Sequence, residues 1–179
     1  TPVEFRRHLH RHPELSFRET ESARFIAEAL REAGIPCRPI AGTGVLAKIE
    51  GRGDLRGVVL RADIDALPIR EQSGAAWSSE NDGVMHACGH DIHAAVLYGT
   101  LLRLSAERNF EGTLFGIFQP GEESNPGGAS KVLAENPSKH TVLAVVASTS
   151  TRFGRGQLGF RAGKYMASND ELRLTLEAR

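Results

Sequence analysis

The sequence predicts an α/β domain, a sheet flanked by helices, and three observations carry that expectation. "RGVVLRADID" (56–65) and "GTLFGIFQP" (112–120) are dense apolar runs suited to buried strands. Between them, "HAAVLYGTLLRLSAER" (93–108) sets Ala94, Leu97, Leu101 and Leu104 at helical spacing, so strand, helix and strand alternate. Acidic and soft residues gather where the strands end, the side on which open α/β sheets form their ligand crevice.

The remaining elements follow in order. The first thirty-odd residues read helical. Ser16-Phe17-Arg18-Glu19 has the form of a capping box, a hydroxyl and a carboxylate able to satisfy two free amides. After it Ala23, Ile26, Ala27, Leu30 and Ala33 recur on one face, and Gly34 is placed to end the helix. "CRPIAG" and "GVLAKIEG" read as two strands joined through Gly42 and Gly44. "GRGD" (51–54), lying between two strands, reads as a hairpin turn. "GGASKVLAEN" suits a helix; "TVLAVVAS", "GQLGFRAGKYMAS" and "ELRLTLEAR" suit strands.

Composition narrows the function. The 22 basic residues balance 22 acidic ones, so no strong field draws the chain to nucleic acid or anionic membrane. No apolar run approaches the ~18 residues of a spanning helix. Two widely separated cysteines suit a reducing compartment, and the expectation is a cytoplasmic protein.

The chemistry concentrates in "MHACGHDIHAA" (85–95), where His86, Cys88, His90, Asp91 and His93 crowd together. Cys88 and His90 flank a glycine just before a helix, a spacing that lets a thiolate and an imidazole approach one ion. Asp91 is placed to accept from a ligating imidazole or sit beside the ion, and His93 lies one helical turn from His90. Glu122 and Glu123 are adjacent carboxylates at a strand end. They read either as a solvated pair or as a divided one, with one carboxylate on metal and the other as base. Asp63 and Asp65 alternate on an extended segment, able to orient ligands or to cap the following turn. His10 and His12, in "LHRHPELS", read as part of a surface loop. No nucleophile elbow, phosphate loop, dinucleotide fingerprint or zinc deaminase pattern is present.

Together "RRHLHRHPELSFRETES", "RADIDALPI", "MHACGHDIHAA" and "GTLFGIFQPGEES" resemble the M20 metallopeptidase family, in particular its amidohydrolases that cleave N-acyl amino acids. The resemblance implies a zinc-peptidase-like (phosphorylase/hydrolase-like) α/β catalytic domain with a smaller lid domain inserted, often mediating dimerisation. It implies that 1–166 is the N-terminal part of a truncated catalytic domain and 167–179 the start of the lid. It further implies two divalent ions (zinc, manganese, nickel or cobalt) and a small N-acyl amino acid as substrate.

Residue by residue, the resemblance makes Cys88, His90 and Glu123 metal ligands, Glu122 the general base and Asp65 a catalytic carboxylate that orients a ligand. It also implies a histidine ligand at a later strand end, where the Gly156-x-x-Gly159-Phe160 alignment sets Ser148. His140 falls too early to replace it, and the family's last histidine belongs to a region this sequence does not contain. The expected activity is therefore amide hydrolysis by ancestry, weak or absent in this chain. The alternatives are a non-catalytic metal-binding or self-associating scaffold, a possible homo-oligomer, and a thiol hydrolase using Cys88.

Overall fold

The computed structural model describes residues 1–137, 141–147 and 149. In chain order its elements are α1 (Pro2–Arg11), α2 (Thr20–Glu32), β1 (Cys37–Ile40), β2 (Gly44–Glu50), β3 (Arg52–Asp63), α3 (His90–Glu107), β4 (Glu111–Gln119), α4 (Gly128–Ala134) and β5 (Thr141–Ala147). The expected domain boundary at 166/167 and the strands expected from "GQLGFRAGKYMAS" and "ELRLTLEAR" lie outside the described residues, as do Ser148 and His140.

The strands form one mixed sheet in the order β1-β2-β4-β3-β5. β1 and β2 pair antiparallel, with Ile40 opposite Gly44, so the strand pair expected through Gly42 and Gly44 is present. β3 and β4 run parallel with Val59 opposite Phe115, and β5 runs parallel along the other side of β3. A parallel pair needs a long crossover, and α3 is that crossover between β3 and β4.

The "GRGD" hairpin is not formed. β4 lies between β2 and β3, pairing antiparallel with the first and parallel with the second. Residues 52–54 belong to β3, whose register on β4 shifts between Arg52 and Gly57. The local turn signal was overridden by a long-range strand, which β2 and β3 both use as their neighbour.

The core has two parts because β4 is buried on both faces. Leu114 and Phe118 face a cluster with Phe5, Leu9, Ile26, Leu30, Leu97 and Leu101, supplied by α1, α2 and α3. Phe115 and Ile117 alternate to the opposite face and meet Leu46, Val59 and Val132 of α4. The α2 face read from the sequence is the buried one, and Gly34 follows its end with φ +70°. At roughly 25 cal/mol per Å² of apolar surface, each large side chain in these layers contributes about 2 kcal/mol.

The capping box expected at Ser16–Glu19 is also absent. Glu19 is the N-cap residue of α2 but makes no side-chain cap. The Glu14 carboxylate takes that role, accepting from the Ser22 amide at 2.7 Å and the Glu21 amide at 3.3 Å. A complete capping box occurs instead at Thr1 and Glu4, which open α1. Ser16 and Glu19 are drawn away by partners distant in sequence, described below.

Candidate functional site

Three chain segments converge beyond the carboxyl ends of β3 and β4. β3 ends on Asp63, with Asp65 just beyond it. β4 runs through Gln119 into Pro120, Gly121, Glu122 and Glu123. The third segment carries Cys88 and enters α3 at His90. Gly89 joins them with φ +81°, a left-handed conformation that glycine adopts without a Cβ penalty.

His90 is buried at the centre. Its Nδ1 donates to the Asp65 carbonyl oxygen at 2.9 Å and lies 3.2 Å from Asp65 Oδ1. That fixes the ring and leaves Nε2 toward three carboxylates: Glu123 Oε1 at 3.7 Å, Glu122 Oε2 at 3.8 Å and Asp63 Oδ1 at 3.8 Å. Cys88, His90 and Glu123 each offer a donor atom within 4.8 Å of the others. Bonds of ~2.0–2.3 Å to one ion bring donors to such separations, so this set fits a divalent cation. Asp63, His90 and His93 form a second group by the same measure, with Asp63 Oδ1 2.6 Å from His93 Nδ1.

Asp65 ties the segments together. Its Oδ2 accepts from the Ser16 hydroxyl at 2.7 Å and from the Glu123 amide at 2.9 Å, while Oδ1 faces His90. Burial works to raise its pKa, but these hydrogen bonds favour the carboxylate more and hold it at about 2. Asp63 is also held low. Burial opposes this, and the His93 hydrogen bond with the charges of His90 and Arg61 outweighs it. Burial works to lower the pKa of His90, but the Asp65 hydrogen bond and the Asp63 and Asp65 charges outweigh it and raise it.

Glu122 moves the other way. Desolvation, then the Asp63 and Glu123 charges, raise its pKa. The Cys88 sulfur is desolvated by its surroundings and faces Glu123 and Glu122, which together push the thiol up to about 11. Coordination by a cation inverts that order, since a coordinated thiol is deprotonated.

The five residues of the soft-residue stretch therefore divide. Cys88, His90 and His93 face the acidic cluster. Asp91 turns away, accepting from Arg6 Nε at 2.5 Å and standing 2.9 Å from His10 Nδ1. His86 is buried, neither of its ring nitrogens has a hydrogen-bond partner among the described residues, and burial lowers its pKa to about 4.

His10, read from the sequence as part of a surface loop, is buried in α1 between Asp91 and Glu71, with Nε2 3.0 Å from Glu71 Oε1. His12 is the C-cap of α1, its ring 3.7 Å from Glu80. The signal for His10 was its place beside Leu9 on the buried face of α1, which a reading of "LHRHPELS" as loop discarded.

Comparison with known proteins identifies the family. Residues 59–176 match peptidase family M20/M25/M40. The N-acetyl-L-cysteine deacetylase of Bacillus subtilis is 38% identical over 179 residues, covering 99% of this chain and 43% of that protein. The N-acyl-L-amino acid amidohydrolase of Geobacillus stearothermophilus is 39% identical over 170 residues, covering 94% and 46% respectively. The crystal structure of the Bacillus subtilis YXEP protein, described as a dinuclear metal-binding peptidase of the M20 family, superposes with a TM-score of 0.75 at 43% identity. That match covers 80% of this chain and 41% of that one. The chain spans less than half the length of these curated relatives. The match extends over well over half of the chain, and the chain belongs to peptidase family M20/M25/M40.

Proposed function

We propose that this chain carries the metal-binding portion of an amidohydrolase acting on small N-acyl amino acids. One observation carries the proposal: the Cys88, His90 and Glu123 donors converge, with the Glu122 carboxylate 3.8 Å from the same imidazole nitrogen. Amidohydrolase relatives at 38–39% identity support the substrate class.

Cys88, His90 and Glu123 would hold a divalent ion, drawn from zinc, manganese, nickel or cobalt, with a second ion beside it. The ion, when bound, supplies Lewis acidity and lowers the pKa of water at the site. The protein's own groups do the rest. Asp65 fixes the His90 ring through Nδ1, so that Nε2 is aimed at the cluster. The Glu122 side chain is 41% exposed, open to water, and its pKa is raised, which suits a carboxylate that takes a proton from water and returns it to the leaving amine. Glu123, tied through its amide to Asp65, stays in the ligand position.

The test is hydrolysis of a panel of N-acetyl amino acids by protein supplied with each of the four metals, comparing Glu122→Gln. The proposal expects the variant to bind metal as before and to lose at least about 100-fold of whatever rate the chain has. An unchanged rate in Glu122→Gln removes Glu122 as base.

A second reading, self-association, is favoured by β5. Among the described residues this strand exposes Val142, Leu143, Val145 and Val146, an apolar surface on the edge beyond β3. Light scattering at rising concentration tests it: a growing mass supports the reading, and a constant monomer mass contradicts it.

A further inference from the structure

The two side chains missing from the expected capping box point to a function for the loop that holds them. Ser16 donates to Asp65, and Glu19 reaches the other acidic segment. Glu19 is fully buried, yet no cationic side chain pairs with its carboxylate among the described residues. Its Oε1 accepts from the Gly121 amide at 2.8 Å, and its Oε2 accepts from the Thr43 hydroxyl. An ionisable group buried this deeply is costly unless hydrogen bonds satisfy it, and here each carboxylate oxygen takes one.

The surroundings are built to the same end. Phe17, between Ser16 and Glu19, has φ +60°, a left-handed conformation that costs a non-glycine residue about 1–2 kcal/mol. That turn lays the Phe17 ring against Gly121, so closely that a Cβ on Gly121 would lie 2.5 Å from the ring. Lys131 of α4 lies over the ring, its Nζ 3.5 Å from the centroid. Past Gly121 the loop closes on itself, with the Gly128 amide donating to the Gly121 carbonyl at 2.8 Å. Gly121 is thus held by both of its backbone polar groups, immediately before Glu122 and Glu123.

We propose that Glu19 is a positioning residue for the Glu122–Glu123 pair: its carboxylate holds the Gly121 amide and thereby fixes the loop from which both glutamates project. The inference rests on the metal reading for its chemical meaning, but its geometric content does not need an ion. Ser16 and Glu19 act from one short loop on the two acidic segments, Ser16 on Asp65 and Glu19 on Gly121. The rule of local capping fails here because both residues serve the site.

The experiment compares wild type, Glu19→Ala and Glu19→Gln by amide hydrogen exchange in metal-free protein and by Co(II) titration followed through the thiolate-to-cobalt absorption band. Gln keeps an oxygen able to accept from Gly121. In Glu19→Ala, exchange is expected to accelerate at Gly121 and Glu123 while the Ile26 and Leu30 amides of α2 stay protected. Co(II) affinity is expected to fall roughly 10- to 100-fold, the usual effect of losing a group that orients a ligand. Glu19→Gln restores both.

Unchanged exchange at Gly121, equal loosening of α2, or a Co(II) titration identical to wild type despite a lowered Tm overturns the inference. A wild type that takes up no Co(II) contradicts the metal reading instead, and the exchange data then decide on Glu19 alone. If Glu19→Ala does not fold, Thr43→Val removes the hydroxyl donor to Oε2 and carries the test. A partial rise in exchange at Gly121 is then expected, and none overturns the inference.

Discussion

His10 Nδ1 lies 2.9 Å from Asp91 Oδ2, joining α1 to the first turn of α3 one residue past His90. Arg6 donates to the same oxygen, and Glu71 faces the other nitrogen of His10. The turn that delivers Cys88 and His90 is therefore anchored from behind by a buried polar network, where unpaired groups are costly.

A double-mutant cycle measures that anchor. His10→Ala and Asp91→Ala are each expected to destabilise by about 2–4 kcal/mol, because each leaves a buried polar partner unpaired. Urea unfolding of both single variants and the double should give a coupling energy of about 1–3 kcal/mol. Simple additivity contradicts a direct interaction.

Gly128→Ala tests the loop that carries the glutamate pair. An added Cβ would sit 1.7 Å from the Pro120 carbonyl oxygen, a backbone atom that cannot move aside cheaply. The expected loss is about 3 kcal/mol, read as a lower urea midpoint with an unchanged m-value. By contrast Gly34→Ala meets no atom of the described residues within 4 Å, and its cost should be limited to the strain of a positive φ.

The buried His86 is expected to make metal-free protein acid-sensitive. Its pKa is lowered by burial to about 4, from 6.5 in the unfolded chain. Between those values the unfolded state binds a proton that the folded state does not, so stability is present above pH 6.5 and is lost as pH falls toward 4. The expected loss is on the order of 3 kcal/mol. Urea midpoints of wild type and His86→Leu across that range provide the check. The variant should show a flatter profile, and identical profiles contradict the assignment.

The central strands were legible in the sequence because their apolar density reports burial directly, as in "GTLFGIFQP", which becomes β4 through the residue before Pro120. The helix over 93–108 was legible from the spacing of Ala94, Leu97, Leu101 and Leu104, and α3 begins three residues earlier, at His90. Sheet order was not, because β4 enters between β2 and β3 from far along the chain and leaves no trace in "GRGD". Cys88, His90, Glu122 and Glu123 could be singled out from their chemistry. Asp91 looked like a member of that group, but helical geometry turns it toward α1. Ser16, Glu19 and His10 carried misleading local signals, since each satisfies a partner that only the tertiary fold brings near.

The most direct test of the central claim is metal content per chain after exhaustive dialysis, by mass spectrometry, for wild type and Cys88→Ser. Near-stoichiometric retention of zinc, manganese, nickel or cobalt in wild type, lost in the variant, is the result expected if Cys88, His90 and Glu123 hold an ion. Metal in neither protein, or equal metal in both, contradicts it.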